Sequence, residues 1–158
     1  MCIRDSVWAM GDVTGGQQFT YISLDDFRIV YSQLFGDGSR TTENRGAVPY
    51  SVFVDPVFSR VGMSETEARE KGYRIKVVKL VAAAIPKAQV LQKPEGLLKA
   101  IVDDESGLIL GAHLFCEESH EMINLIKLAI DAKLPYTTLR DGIYTHPTMT
   151  EALNELFL

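Results

Sequence analysis

Leu97-Leu98-Lys99-Ala100-Ile101-Val102, Asp103-Asp104-Glu105-Ser106-Gly107 and Leu108-Ile109-Leu110-Gly111-Ala112-His113-Leu114-Phe115 follow one another without a break. Two apolar runs thus flank a short acidic stretch that ends in glycine, the pattern of a β-hairpin. Working outward, residues 73–80 are β-branched and partly alternating, which makes them a further strand. Residues 49–54 and 58–63 are two more β-rich runs, broken by the turn dipeptide Asp55-Pro56. Short connections favour antiparallel pairing. The sequence therefore predicts an antiparallel β-sheet across residues 47–115.

Helices are expected around it. Ser64-Glu65-Thr66-Glu67 reads as a capping box and Gly72 as the stop of a short surface helix. Residues 119–133 carry Met122, Leu125, Ile126, Ala129 and Ile130 on one stripe, widened by Ile123 and Leu128, which suggests burial on more than one side. A last helix is expected from Pro147, with Met149, Ala152, Leu153, Leu156 and Phe157 in register. Upstream, Gly11 to Gly16 is turn-rich and follows a short apolar run. Residues 17–35 show a helical stripe of Phe27, Val30, Tyr31 and Leu34. Residues 36–46 are polar and glycine-rich and suit a linker. The fold class is α+β: an antiparallel sheet with flanking helices, preceded by a strand-loop-helix element.

Composition narrows the function. The chain has 158 residues, 46% of them hydrophobic, enough for one domain and a piece of another. A net charge of -5 with no basic run argues against nucleic acid as a partner. No apolar stretch approaches the length that spans a bilayer. Cys2 and Cys116 have neither disulfide-framework nor zinc spacing, which fits a reducing compartment, so a cytoplasmic location is expected. His113, Cys116, Glu117, Glu118 and His120 cluster in sequence, but strand alternation sends His113 and Cys116 to opposite faces. No metal site is expected there, and Cys116 reads as a buried structural thiol.

Two short segments carry chemistry. In His146-Pro147-Thr148-Met149-Thr150-Glu151, proline biases His146 out of the helical region. Glu151 follows about a turn later, where a carboxylate can hold one ring nitrogen and raise the basicity of the other. The same two residues also suit a helix cap and a solvated charge. In Gly11-Asp12-Val13, a carboxylate ends an apolar strand beside a glycine that lets a ligand approach closely. A bare turn is the other reading.

Residues 145–157, together with Val7-Trp8-Ala9-Met10-Gly11-Asp12-Val13, resemble the C-terminal and second flavin-binding signatures of the class I pyridine nucleotide-disulfide oxidoreductases. Within that family the chain is most similar to the reactive-chlorine-resistance flavoprotein reductases. The residues behind this are Thr14-Gly15-Gly16, Phe19-Thr20-Tyr21-Ile22-Ser23-Leu24-Asp25-Asp26, Pro49-Tyr50-Ser51-Val52-Phe53, Ser59-Arg60-Val61-Gly62-Met63 and Ser119-His120-Glu121-Met122-Ile123-Asn124. Tyr144 stands where lipoamide dehydrogenases carry a second histidine, and the chain does not end in the cysteine pair of mercuric reductases.

The resemblance implies residues 1–6 as an artefact, 7–44 as the remnant of an FAD domain with its linker, and 45–158 as the interface domain. It implies that Asp12, beside Gly11, holds the ribityl chain of FAD, and that Gln18, Phe19 and Thr20 face the flavin pyrimidine with a helix start. It further implies a homodimer in which hydride passes from NAD(P)H to FAD and on to a cysteine pair. His146 of the other subunit is the acid and base there, and Glu151 its orienter. The nearest likeness suggests a reactive-chlorine oxidant as acceptor. Neither a G-x-G-x-x-G before a helix nor paired redox cysteines occur in the chain. It therefore reads as a fragment that is inactive alone; a stand-alone association module is the alternative.

Overall fold

A computed structural model describes the backbone of Ile3 and Arg4 and all of residues 7–158. Cys2, and with it most of the expectation about residues 1–6, lies outside the described residues. The chain divides into a unit ending at Gly46 and a second unit, Ala47–Leu158.

In the first unit, Ile3–Arg4 (β1) pairs antiparallel with Val7–Trp8 (β2), a single 3-10 turn covers Asp12–Thr14, and Thr20–Phe35 forms α1. The apolar stripe read on α1 faces largely outward. Phe27, Tyr31 and Leu34 are exposed, whereas Ile22, Asp25, Asp26 and Ile29 turn inward. Arg40 and Arg45, from beyond the helix, fold back onto the two carboxylates, so this face can be buried without stranding a charge. Residues 36–46 are polar, as a linker should be, yet they are tied down. Gln33 Nε2 donates to the carbonyls of Gly38 (2.7 Å) and Arg40 (3.1 Å), and Asn44 Nδ2 donates to Ser39 O (2.7 Å).

The second unit holds the predicted sheet. Its strands are Tyr50–Val52 (β3), Phe58–Gly62 (β4), Ile75–Val81 (β5), Leu97–Asp103 (β6) and Ile109–Phe115 (β7), in the order β3-β4-β7-β6-β5, all antiparallel. Leu98, Ala100 and Val102 of β6, Ala112 and Leu114 of β7 and Val61 of β4 form one buried face. Ser119–Asp131 (α4) covers it with Met122, Ile123, Ile126 and Ala129, and the C-terminal segment adds Met149, Leu153, Leu156 and Phe157. Leu128, read as widening the α4 stripe, is exposed. Glu65–Glu70 (α2) opens with the predicted capping box: Glu67 N–H donates to Ser64 Oγ (3.2 Å) and Ser64 N–H to Glu67 Oε2 (2.7 Å).

Alternation fails at one point in β7. Ile101 pairs with Gly111 and Val102 with Ile109, so Leu110 is skipped. This bulge turns Ile109 into the main core and Leu110 to the other face, where it joins Ile101 and Ala68 of α2. Met63 N–H donates to Leu110 O at 2.8 Å, and the chain passes so close that a Cβ on Gly111 would lie 2.1 Å from Met63 O. Only glycine fits there.

Three short helices were not fully foreseen: Pro86–Leu91 (α3), Tyr136–Arg140 (α5) and Ala152–Leu156 (α6). The last was expected to start at Pro147. It starts five residues later, after a tight turn closed by i to i−3 bonds from Ala152 N–H to Met149 O (3.2 Å) and from Leu153 N–H to Thr150 O (3.1 Å). Pro147 therefore precedes the helix and is not its first residue. The buried register of Met149, Ala152, Leu153, Leu156 and Phe157 is as predicted.

Candidate active site

The segment before α6 is a framework for one imidazole. Thr148 Oγ1 donates to Thr145 O (2.8 Å) and accepts from Glu151 N–H (3.3 Å), while Thr148 N–H donates to Glu151 Oε1 (3.0 Å). This reciprocal Thr-x-x-Glu arrangement fixes the Glu151 carboxylate. Its second oxygen, Oε2, lies 2.8 Å from His146 Nδ1. The His146 side chain is 67% exposed and that of Glu151 only 18%, so the carboxylate is sheltered and the Nε2 edge of the ring is left to solvent. The hydrogen bond to His146, helped by Thr148 N–H, holds the Glu151 carboxyl below the usual carboxylate range. It is therefore ionised at neutral pH and can hold Nδ1 as the N–H tautomer, leaving Nε2 to take or give a proton.

A second layer holds the loop that leads to His146. Asn154 Nδ2, on α6, donates toward the carbonyls of Arg140 (2.6 Å), Gly142 (2.9 Å) and Leu139 (3.3 Å), and Tyr144 OH donates to Leu139 O (2.9 Å). Beside it, Ile143 is fully exposed. Sequence reading missed Thr148 and Asn154. Thr148 could have been found, since Thr148-x-x-Glu151 is itself a capping-box spacing; Asn154 carries no local signal.

The other predicted residues lie in the first unit. Gly11 has φ 76°, ψ -156°, a conformation that suits glycine. Asp12 is exposed at the head of its 3-10 turn. Of Gln18, Phe19 and Thr20, expected to offer backbone N–H groups, Phe19 uses its own on Gln17 O (3.0 Å). The start of α1 has no side-chain cap and no acidic residue in its first turn. The first turn of α1 thus carries no negative side chain of its own at the positive end of the helix. An exposed carboxylate that can accept from hydroxyls, and a helix start with its positive end, are groups that would suit a flavin's ribityl chain and pyrimidine.

Cys116 and the nearby histidines do something else. Cys116 is buried, which with Glu117 and Glu118 pushes its thiol up to about 12. It is no nucleophile at neutral pH. His113 lies on the sheet face away from the core, 6.5 Å ring to ring from Phe58, and burial with Arg60 and Lys99 lowers its pKa. Among the described residues no three His, Cys, Asp or Glu side chains gather as a cation site.

Residues 48–157 match the pyridine nucleotide-disulphide oxidoreductase dimerisation domain. The chain belongs to the pyridine nucleotide-disulphide oxidoreductases. Within that family it is 60% identical over 153 residues to the probable pyridine nucleotide-disulfide oxidoreductase RclA of Escherichia coli, covering 97% of this chain and 35% of that one. The solved structure of that protein, described as an HOCl-induced flavoprotein disulfide reductase, superposes with a TM-score of 0.94 over the same shares. Mercuric reductase of Staphylococcus aureus is 33% identical over 150 residues, 95% of this chain and 27% of that one. LpdA from Mycobacterium tuberculosis shares the fold, with a TM-score of 0.86 at 19% identity over 95% of this chain and 32% of that one. The chain thus spans about a third of the length of these oxidoreductases. Among the described residues no helix is long and apolar enough to cross a membrane.

Proposed function

We propose that this chain is the C-terminal interface part of an FAD-dependent NAD(P)H:disulfide oxidoreductase that works as a homodimer. In it, His146 of one subunit exchanges protons with the redox cysteines of the other. The observation that carries the proposal is the His146 Nδ1–Glu151 Oε2 bond of 2.8 Å on a ring whose other edge is open. Among the described residues a base and its orienter are complete, whereas the cysteine, Cys116, is buried with a raised pKa. The thiol is therefore assigned to a second subunit, a source that the dimerisation-domain match supports.

His146 Nε2 takes the proton of the attacking thiol and returns it to the thiolate that leaves when the disulfide is cleaved. Glu151 stabilises the imidazolium formed between these steps. FAD, with Asp12 on its ribityl hydroxyls and the start of α1 toward its pyrimidine, would supply the two-electron path between NAD(P)H and the cysteine pair. A dithiol cycle of this kind suits a reducing, cytoplasmic compartment.

The test uses a full-length chimera in which this chain replaces the matching third of E. coli RclA. His146→Ala should leave flavin reduction by NAD(P)H intact and slow the thiol-dependent half-reaction by about 10²–10⁴-fold. Wild-type values in both half-reactions across pH would overturn the assignment, leaving His146 a structural cap.

A further inference from the structure

Asp25 and Asp26 are adjacent on the inward face of α1 and only 6% and 7% exposed, between the buried Ile22 and Ile29. Two neighbouring carboxylates in that position repel each other and lose hydration, so each needs partners. Asp26 Oδ2 accepts the backbone N–H of Gly11 at 2.8 Å, fifteen residues upstream. Its Oδ1 meets the guanidinium of Arg45, whose Nε also lies 2.7 Å from Asp25 Oδ2. Asp25 Oδ1 accepts from Arg40 Nε at 3.0 Å. Gly11 is held from its other side too, because its carbonyl accepts Thr14 N–H (3.0 Å) and Thr14 Oγ1 (2.8 Å). Both polar backbone groups of Gly11 are thereby fixed immediately before Asp12, while the Asp12 side chain itself stays exposed.

We infer that Asp26 and Arg45 are positioning residues for the flavin loop: Asp26 grips Gly11 so that Asp12 is aimed, and Arg45 locks Asp26 from the 36–46 segment. The inference rests on the flavin reading of Asp12 and goes beyond it in naming what sets the loop. Two apolar side chains could fill the same space without any desolvation cost. Only a carboxylate, however, can accept the Gly11 amide and at the same time hold a guanidinium. The network joins three parts of the first unit that are distant in sequence: the Gly11 turn, the second turn of α1 and the segment that runs on to Ala47. Loosening Arg45 therefore loosens Gly11, although the two do not touch.

Amide exchange in the 158-residue chain reads the grip directly. Asp26→Asn leaves at most one acceptor oxygen and presents an amide to Arg45, and Arg45→Gln leaves Asp26 unlocked. Each should speed exchange at the Gly11 N–H by about tenfold while the Ile29 amide in the middle of α1 is unchanged. Unchanged Gly11 exchange in both overturns the inference; should Asp26→Asn fail to fold, Arg45→Gln alone decides it.

The RclA chimera then reads the consequence as retention of FAD. Both variants should weaken FAD binding by about tenfold, the effect of one misplaced hydrogen bond. If Asp26 acts through Asp12, then Asp26→Asn added to Asp12→Ala should weaken it no further. Additive losses would mean a general structural role and refute the positioning claim. Loss of FAD in Asp12→Ala with none in Asp26→Asn or Arg45→Gln refutes the clamp alone. Full retention in Asp12→Ala refutes the flavin reading, and the Gly11 exchange result is decided independently of it.

Discussion

Replacing Asn154 should undo the loop that carries His146, and the size of the effect can be worked out from three distances. Its Nδ2 faces the carbonyls of Arg140, Gly142 and Leu139 at 2.6, 2.9 and 3.3 Å. An NH2 group has two hydrogens, so the two shorter contacts count as full bonds and the third as a shared one. At a net stabilisation of about 1 kcal/mol per bond, Asn154→Ala should cost about 2 kcal/mol. Asn154→Asp keeps the shape but points a carboxylate at three carbonyls, so it should cost more, about 3–4 kcal/mol, unless the group protonates. Urea denaturation of the 158-residue chain followed by circular dichroism measures both, and the Asp variant should regain part of its stability as pH falls from 7 toward the ordinary carboxylate value of about 4, with no further gain below it. Equal stability of Asn154→Asp and wild type at pH 7 would refute the reasoning, as would an Ala variant more damaging than the Asp one.

Other outcomes follow from the same geometry. Gly111→Ala would press a methyl against the Met63 backbone at 2.1 Å and break the Met63–Leu110 hydrogen bond. A loss of about 3 kcal/mol, or about 6–12 °C in Tm, is expected by calorimetry. Gly72→Ala, at positive φ but with open space around it, should cost only about 1 kcal/mol. Because the folded-state pKa of Glu151 is depressed, its contribution is present above the ordinary carboxylate pKa and fades as pH falls through the lower folded value. The stability gap between wild type and Glu151→Gln, measured by denaturation from pH 7 to 2, should close on the acid side, and a gap that widens there would contradict the pairing. Cys116 should resist iodoacetamide at pH 8 until the chain is unfolded, as read by peptide mass spectrometry.

The sheet could be read from the sequence because each strand is short, apolar and bounded by turn residues, and because Ser64 and Glu67 announce α2 locally. What escaped was non-local. The outward turn of Phe27 and Tyr31 depends on Arg40 and Arg45 covering the opposite face of α1, which no window on that helix contains. The bulge at Leu110 depends on Met63 reaching across from another strand. At the candidate site, His146 and Glu151 stand five residues apart and could be paired by inspection, and their bond lies where that spacing allows. The support from Asn154 could not, since backbone carbonyls have no sequence signature.

The bulge at Leu110 divides the labour of β7 between two hydrophobic cores. One step along the strand moves from a side chain facing α4 and α6 to one facing α2. A designer could therefore exchange α2 and its contacts with Leu110, Ile101 and Met63 as a cassette, leaving the packing beneath His146 untouched. Deleting Leu110 would act on one core alone. It would leave Ile101–Gly111 and Val102–Ile109 paired in a regular ladder and remove the side chain that packs on Ile101 and Ala68, so the second core would lose a member while the main core kept its register.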